Sequence, residues 1–289
     1  MTAPTASTRG AIYVCMGLHY VLMAMVSIKT LKKFNPHLPV TIVTNVDLPM
    51  HRFAFWSADV DRVVLVNQLD SQNRFIKSNI YEFSPYEQTL YIDADTYVAG
   101  CLDDLFAFLK YFDVALKLNP VQQTKLGKGD QMVLDGAFCV KDLPHWNSGV
   151  IAFNKSQASS EFFKYWASAF AAINLPYHQM ALVDAIFKTS TRVLSLNDVW
   201  NKFPSAKLYV NGLAEAKIVH YTNRISFELE GQLANMAKLA QVDVQDLKRF
   251  VANKRKQRFK KVGLLRSCAL VFLWVFARRH EKAVFAEVS

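Results

Sequence analysis

Four cysteines, Cys15, Cys101, Cys139 and Cys268, are scattered through 289 residues without a C-x-x-C spacing. That absence excludes a thiolate zinc site and a disulfide scaffold, and predicts reduced thiols in a cytoplasmic protein. No G-x-G-x-x-G and no Walker lysine follows a predicted strand, which disfavours dinucleotide enzymes and P-loop NTPases. A basic start followed by a small-residue cleavage site is also missing, so a signal peptide is not expected. Acids are missing from one region: Leu247 to His280 holds eleven Lys or Arg and no Asp or Glu. The rest of the chain carries 23 basic against 24 acidic side chains, so the net charge of +10 belongs to the tail.

What is present is a core. An apolar fraction of 52% with 20% charged residues fits a globular protein and excludes a disordered one. The length allows one large α/β domain, with or without an appendage.

Met1 to Arg9 is polar and reads as a flexible terminus. Ala11 to Met16 reads as a buried strand, Tyr20 to Phe34 as a mostly apolar helix, and Val40 to Thr44 as a second strand. Together they form a right-handed β-α-β unit. Asp61 to Val66 predicts a third strand, and Asn73 to Phe83 a helix bearing Lys77. Leu90-Tyr-Ile92 then delivers Asp93 and Asp95 to the carboxyl edge of a sheet, where open α/β folds bind ligands.

Residues two apart on extended chain point the same way, so the two carboxylates converge and repel unless a cation lies between them. A hard ion such as Mg²⁺ or Mn²⁺ relieves that repulsion and takes one or two carboxylates together with substrate phosphates. Taken alone, the pair reads first as a strand-end turn capping the next helix, and the neighbouring segments must decide. Downstream come a helix at Asp103 to Tyr111, a strand at Asp113 to Leu118 and an irregular polar section at Asn119 to Pro144, the length of a lid or acceptor loop. Trp146-Asn-Ser-Gly149 reads as a polar turn entering the strand that ends at Asn154. Helices at Glu161 to Ile173 and Tyr177 to Phe187, a strand at Arg192 to Leu196, and a last strand at Lys217 to Asn223 bearing His220 complete the body.

AIYVCMGLHYVLMAMVSIKTL, SPYEQTLYIDADTYV, WNSGVIAFN and KIVHYTN lie in order between Ala11 and Asn223. In these blocks the chain resembles the GT-A fold nucleotide-sugar glycosyltransferases, most closely glycosyltransferase family 8 and its bacterial relatives. The resemblance implies a Rossmann-like, mixed but mostly parallel sheet flanked by helices, spanning residues 10–235. It implies that Asp93, Asp95 and His220 bind Mn²⁺ or Mg²⁺. Cys15, Gly17, Tyr20, Thr44, Asn45, Lys77, Asp93, Ala94, Asp95, Asn147, Ser148 and His178 would contact a donor, expected to be a UDP-hexose. Lys77 would lie near the donor phosphates and sugar, and Gln179 would face the reacting carbon of a retaining enzyme. The family's Asp-Gln pair is His178-Gln179 here, so the acid is missing, and Asp184 further along that helix is the candidate to compensate. An inverting enzyme would need a carboxylate base, for which Asp135 and Asp142 are available.

Residues 236–289 are expected to form a helical extension. Cys268 to Ala277 is apolar all round but only on the order of 15 Å long as a helix, about half of the ~30 Å hydrocarbon thickness. A short apolar block flanked by basic residues suits peripheral attachment to an anionic membrane face, though a helix packed on protein has the same pattern. Binding to single-stranded nucleic acid is disfavoured, because the charges flank the apolar block instead of interleaving with aromatics. The reading that follows is a metal-dependent hexosyltransferase acting on a glycan or glycolipid acceptor. The alternative is a non-catalytic sugar-nucleotide or glycan-binding protein on the same scaffold.

Overall fold

The computed structural model describes residues 8–47, 59–69, 72–119, 133–134, 138–139, 143–173, 179–203 and 216–220. The expected tail helices, His178, Asp135, Asp142 and most of the irregular section lie outside these residues.

Strand β1 (Arg9–Cys15) leads into helix α1 (Leu18–Phe34), which returns to β2 (Val40–Thr44), and β3 (Arg62–Leu65) follows. After helices α2 (Asn73–Ser78) and α3 (Ile80–Phe83) come β4 (Gln88–Ile92), the short β5 (Thr96–Val98), α4 (Asp103–Phe108) and β6 (Val114–Leu118). The two-residue strands β7 (Val133–Leu134) and β8 (Phe138–Cys139) pair with each other. Then follow β9 (Trp146–Asn154), α5 (Gln157–Ile173), α6 (Gln179–Lys188), β10 (Val193–Leu196) and β11 (Ile218–His220). Seven of the described strands form one sheet in the order β10-β6-β9-β4-β1-β2-β3. Only β9 runs against its neighbours β4 and β6; the other pairings are parallel.

Alternation along the strands builds the layers. Ala11, Tyr13 and Cys15 of β1 join the core under α1 and α4, whereas Ile12, Val14 and Met16 join the core under α2, α5 and α6. Leu90 and Ile92 of β4 face the first core and Tyr91 the second. A buried sheet of this kind needs apolar residues on both faces, which is why its strands read as continuous apolar runs. From β1 the chain steps to β2 and β3 on one side and then returns to β4 on the other. That reversal leaves a crevice beyond the carboxyl ends of β1 and β4.

Three expectations are corrected. Arg9 is not in a loose terminus: it opens β1, and its Nε donates to Gln88 Oε1 at 3.1 Å. The helix expected from Asn73 to Phe83 breaks at Asn79, whose Nδ2 caps the Phe75 carbonyl at 2.9 Å. Asn147-Ser-Gly149 is not a turn before a strand but part of β9, at a bulge.

Asp113, at the entry to β6, ties that strand to β10. Its carboxylate accepts from the Arg192 backbone N–H at 3.0 Å, from Nε at 3.1 Å and from Nη2 at 3.0 Å. The Arg192 hydrogen bonds hold the Asp113 carboxyl below the usual carboxylate range. A depressed folded pKa stabilises the fold above the unfolded value of about 3.9 and loses that stabilisation as pH falls through the folded value. Asp113→Asn is therefore expected to lower the melting temperature at neutral pH by roughly 2–4 °C, with the difference from wild type closing below about pH 4. A pH series of thermal melts checks this, and a constant difference across the acid limb would contradict it.

Candidate active site at the carboxyl edge of β4

Asp93 follows the last residue of β4, and its backbone N–H donates to the Gly149 carbonyl of β9 at 2.7 Å. The turn from Asp93 to Asp95 is closed by Thr96 Oγ1, which donates to the Asp93 carbonyl at 2.9 Å. Thr96 Oγ1 also lies 2.7 Å from Ser27 Oγ of α1, which in turn lies 3.1 Å from the Tyr13 hydroxyl of β1. The turn is thus braced against the core by a buried line of hydroxyls. Strand β5 then pairs antiparallel with β11, Thr96 opposite His220. This pairing, which periodicity did not predict, brings the imidazole to the aspartates across 125 residues of sequence.

His220 Nε2 lies 3.3 Å from Asp95 Oδ1 and 3.6 Å from Asp93 Oδ2. One ligand atom from each of the three residues falls within 4.8 Å of the others. Two carboxylates and an imidazole are a donor set that can hold a divalent metal ion, so these residues fit the cation site that the resemblance implied.

Lys77 is not the solvated helix-face lysine that its position alone allows. It is only 6% exposed, and Nζ donates to Asp93 Oδ1 at 2.8 Å and Oδ2 at 3.0 Å. Nζ also lies 4.9 Å from the Tyr91 ring centroid, and the Tyr91 hydroxyl donates to Asp93 Oδ1. Burial, then the Asp93 charge, pushes the Tyr91 phenol well above its ordinary value, so it stays protonated as a donor. Asp93 thus carries its own counter-ion at the edge of the crevice.

The remaining expected positions divide by depth. Cys15 is wholly buried, and burial followed by the Asp93 charge raises its thiol far above the ordinary range. Any donor contact there would come from the backbone. Gly17 adopts φ 89°, a conformation that favours glycine, and its N–H donates to Asn45 Oδ1 at 2.8 Å, joining the ends of β1 and β2. Asn45 Nδ2 donates to the Gln68 carbonyl at 2.9 Å. Thr44 is buried, with Oγ1 accepting from the Val46 N–H at 3.1 Å, and Tyr20 is half-buried in the first turn of α1. Ala94 and Ser148 are buried beside the two halves of the site.

Gln179 opens α6 with its Oε1 buried and without a hydrogen-bond partner among the described residues. Asp184 is buried further along α6, with Oδ2 accepting from Tyr165 of α5 at 3.1 Å. Its Oδ1 is buried and, like Gln179 Oε1, has no hydrogen-bond partner among the described residues.

Asn147 and Gly149 owe their placement to the bulge. Leu116 of β6 pairs with Ile151 of β9, but the next residue, Lys117, pairs with Asn147. Residues 148–150 are left out of the β6 ladder, and a bulge of this kind re-aims side chains next to a site. Asn147 Oδ1 accepts from the Gly149 N–H at 2.8 Å and from Asn201 Nδ2 at 2.9 Å. A contact from Asn147 to a sugar would therefore have to come from Nδ2. Asn201, wholly buried, was not singled out from the sequence; the only signal was its place beside the apolar Trp200. For Tyr91 the apolar run signals only burial, and its hydroxyl contact with Asp93 has no sequence signal.

Residues 8–121 match the model of a family described as Mannosyltransferase putative. No curated protein matches the chain in sequence. Among solved structures, the bifunctional glycosyltransferase WbbM superposes with a TM-score of 0.57 at 13% identity, over 89% of this chain and 52% of that one. The chain thus spans about half the length of that structure. Mouse xyloside xylosyltransferase 1 gives 0.51 at 14% identity, over 74% and 97%. The galactosyltransferase LgtC, solved with donor and acceptor sugar analogs, gives 0.56 at 13% identity, over 80% and 95%. These likenesses establish the GT-A fold, and the family match covers its amino-terminal part.

Proposed function

We propose that Asp93, Asp95 and His220 hold a divalent cation against the diphosphate of a nucleotide-sugar donor, and that the enzyme passes the hexose to a glycan or glycolipid acceptor. The observation that carries this reading is the convergence of those three residues at the carboxyl edge of β4. Bound there, the ion would neutralise charge developing on the leaving diphosphate.

The chain's own residues then have separable tasks. Lys77, whose ammonium has three protons and gives bonds to both Asp93 oxygens, would direct a proton to a donor phosphate oxygen. Asn45 and Gly17 shape the nucleoside end of the crevice. The orphaned Gln179 Oε1 is the acceptor offered to the transferred sugar or to the incoming hydroxyl. A retaining reaction in which the departing phosphate oxygen takes the acceptor proton needs no protein base, and this fits a site whose carboxylates are committed to cation binding.

The family resemblance implies a UDP-linked donor, while the family description suggests mannose and the superposed structures include galactosyl- and xylosyltransferases. A panel of UDP- and GDP-linked mannose, galactose, glucose and xylose, assayed for hydrolysis with Mn²⁺, with Mg²⁺ and after chelation, tests the reading. Ion-dependent turnover of one donor is expected. No turnover and no ion-dependent nucleotide binding with any donor would refute it.

Among the described residues no helix is long and apolar enough to cross a membrane. We further propose that the basic, apolar tail attaches the enzyme peripherally to an anionic membrane face, where a glycolipid acceptor would be within reach. Liposome flotation of the full chain, with and without anionic lipid, tests this.

A further inference from the structure

The orientation of the His220 ring is set by a relay of hydrogen bonds that begins at a group whose role is fixed. The Gly149 backbone N–H can only donate, and it points at an Asn147 side-chain atom 2.8 Å away, which must therefore be the amide oxygen. Asn201 contacts that same oxygen at 2.9 Å, so the contacting atom must be its NH₂. The other end of the Asn201 amide is then oxygen, and it lies 3.0 Å from His220 Nδ1. An oxygen there requires a donor, so Nδ1 carries the proton. In the neutral ring Nε2 then presents its lone pair toward the Asp93 and Asp95 carboxylates, 3.6 and 3.3 Å away.

A lone pair facing two anions is unfavourable in the absence of a cation and favourable around one. The relay also has no slack. Asn201 is wholly buried, and its backbone carbonyl accepts from Lys117 Nζ at 2.8 Å. Lys117, 3% exposed, pairs with Asp198 at 2.6 Å and lies 4.2 Å from the Phe203 ring centroid. Phe203 packs edge-on against His220 at 5.6 Å. The backbones are joined as well, with the His220 N–H donating to the Lys202 carbonyl at 2.8 Å and the Lys202 N–H to that of Ile218 at 2.9 Å.

We infer that Asn201 is a positioning residue that holds His220 as its Nδ1–H tautomer, reading out the Gly149 N–H through Asn147 so that Nε2 is presented to a cation. The inference rests on the proposed cation site for its purpose, but the tautomer itself is measurable without any ion. Partners of this kind, one step behind a metal ligand, commonly set affinity 10–100-fold.

The test uses the full chain. A long-range ¹H–¹⁵N spectrum of the metal-free protein at alkaline pH, with the imidazole neutral, should show His220 protonated at Nδ1 and bare at Nε2. Asn201→Leu, similar in shape but unable to accept, should lose that bias and bind Mn²⁺ about 10–100-fold more weakly by calorimetry. Asn201→Asp keeps an acceptor facing Nδ1 and should retain the tautomer even if its link to Asn147 is weakened. Should Asn201→Leu fail to fold, the wild-type spectrum and the Asp variant still decide the matter. A proton on Nε2 in the metal-free wild type would overturn the inference. An unchanged tautomer with Mn²⁺ affinity within about twofold of wild type in Asn201→Leu would overturn it equally. A wild type with the Nδ1–H form but no Mn²⁺ binding would support the positioning role and defeat the cation site, so the two readings fail separately.

Discussion

With Asp95 as a ligand of the proposed cation, Asp95→Asn is expected to lower ion-dependent donor turnover by about 10³-fold or more, since the lost carboxylate would remove several kcal/mol of charge stabilisation from the departing diphosphate. The substitution keeps the shape of the side chain and removes one of two converging negative charges. Repulsion with Asp93 falls, so thermal stability without added ion should hold or rise slightly. Asp95 is the cleaner target of the pair. Asp93 is also the partner of the buried Lys77 ammonium and the Tyr91 hydroxyl, and removing it would strand both. Turnover of the preferred donor with saturating Mn²⁺, read beside a thermal melt, makes the comparison. Activity within about tenfold of wild type would mean that the leaving group is stabilised elsewhere.

Gly149→Ala should disable the same site by crowding it. A Cβ at this position would lie 2.1 Å from His220 Cε1, 2.4 Å from its Nδ1 and 2.8 Å from Asn147 Oδ1. None of these atoms can yield cheaply, since the ring is held by Asn201 on one side and by the Phe203 edge on another. One added methyl should therefore swing the imidazole away from the carboxylates, lowering Mn²⁺ affinity by about 100-fold and turnover with it. Overpacking should cost about 1–3 kcal/mol of stability as well. Electron paramagnetic resonance of free Mn²⁺ during titration gives the affinity independently of activity. Near-normal affinity would show that His220 does not ligate the ion.

The centre of the sheet was legible because its strands are buried on both faces and so appear as unbroken apolar runs, as in Ala11 to Met16 and Leu90 to Ile92. The aspartate pair was legible for the converse reason: two acids closing such a run have no place in a core. The bulge that leaves residues 148–150 out of the β6 ladder could not be read, because pairing register is a relation between strands and not a property of either one. The role of Asn201 was hidden likewise. A buried amide carries no periodic signal, and its partners, Asn147 and His220, come from distant strands. Lys77 shows a third limit, since a lysine on a short helix looks solvated until the carboxylate that buries it is placed.

The line of hydroxyls from Tyr13 through Ser27 to Thr96 fixes the aspartate turn to helix α1 and strand β1 before any ligand arrives. Capture of the proposed ion should accordingly resemble the filling of a rigid socket more than the ordering of a loop. The shape of the cradle would then be inherited from the folding of the domain, and adaptation to a particular donor or acceptor would fall to the surrounding crevice, not to the grip on the ion.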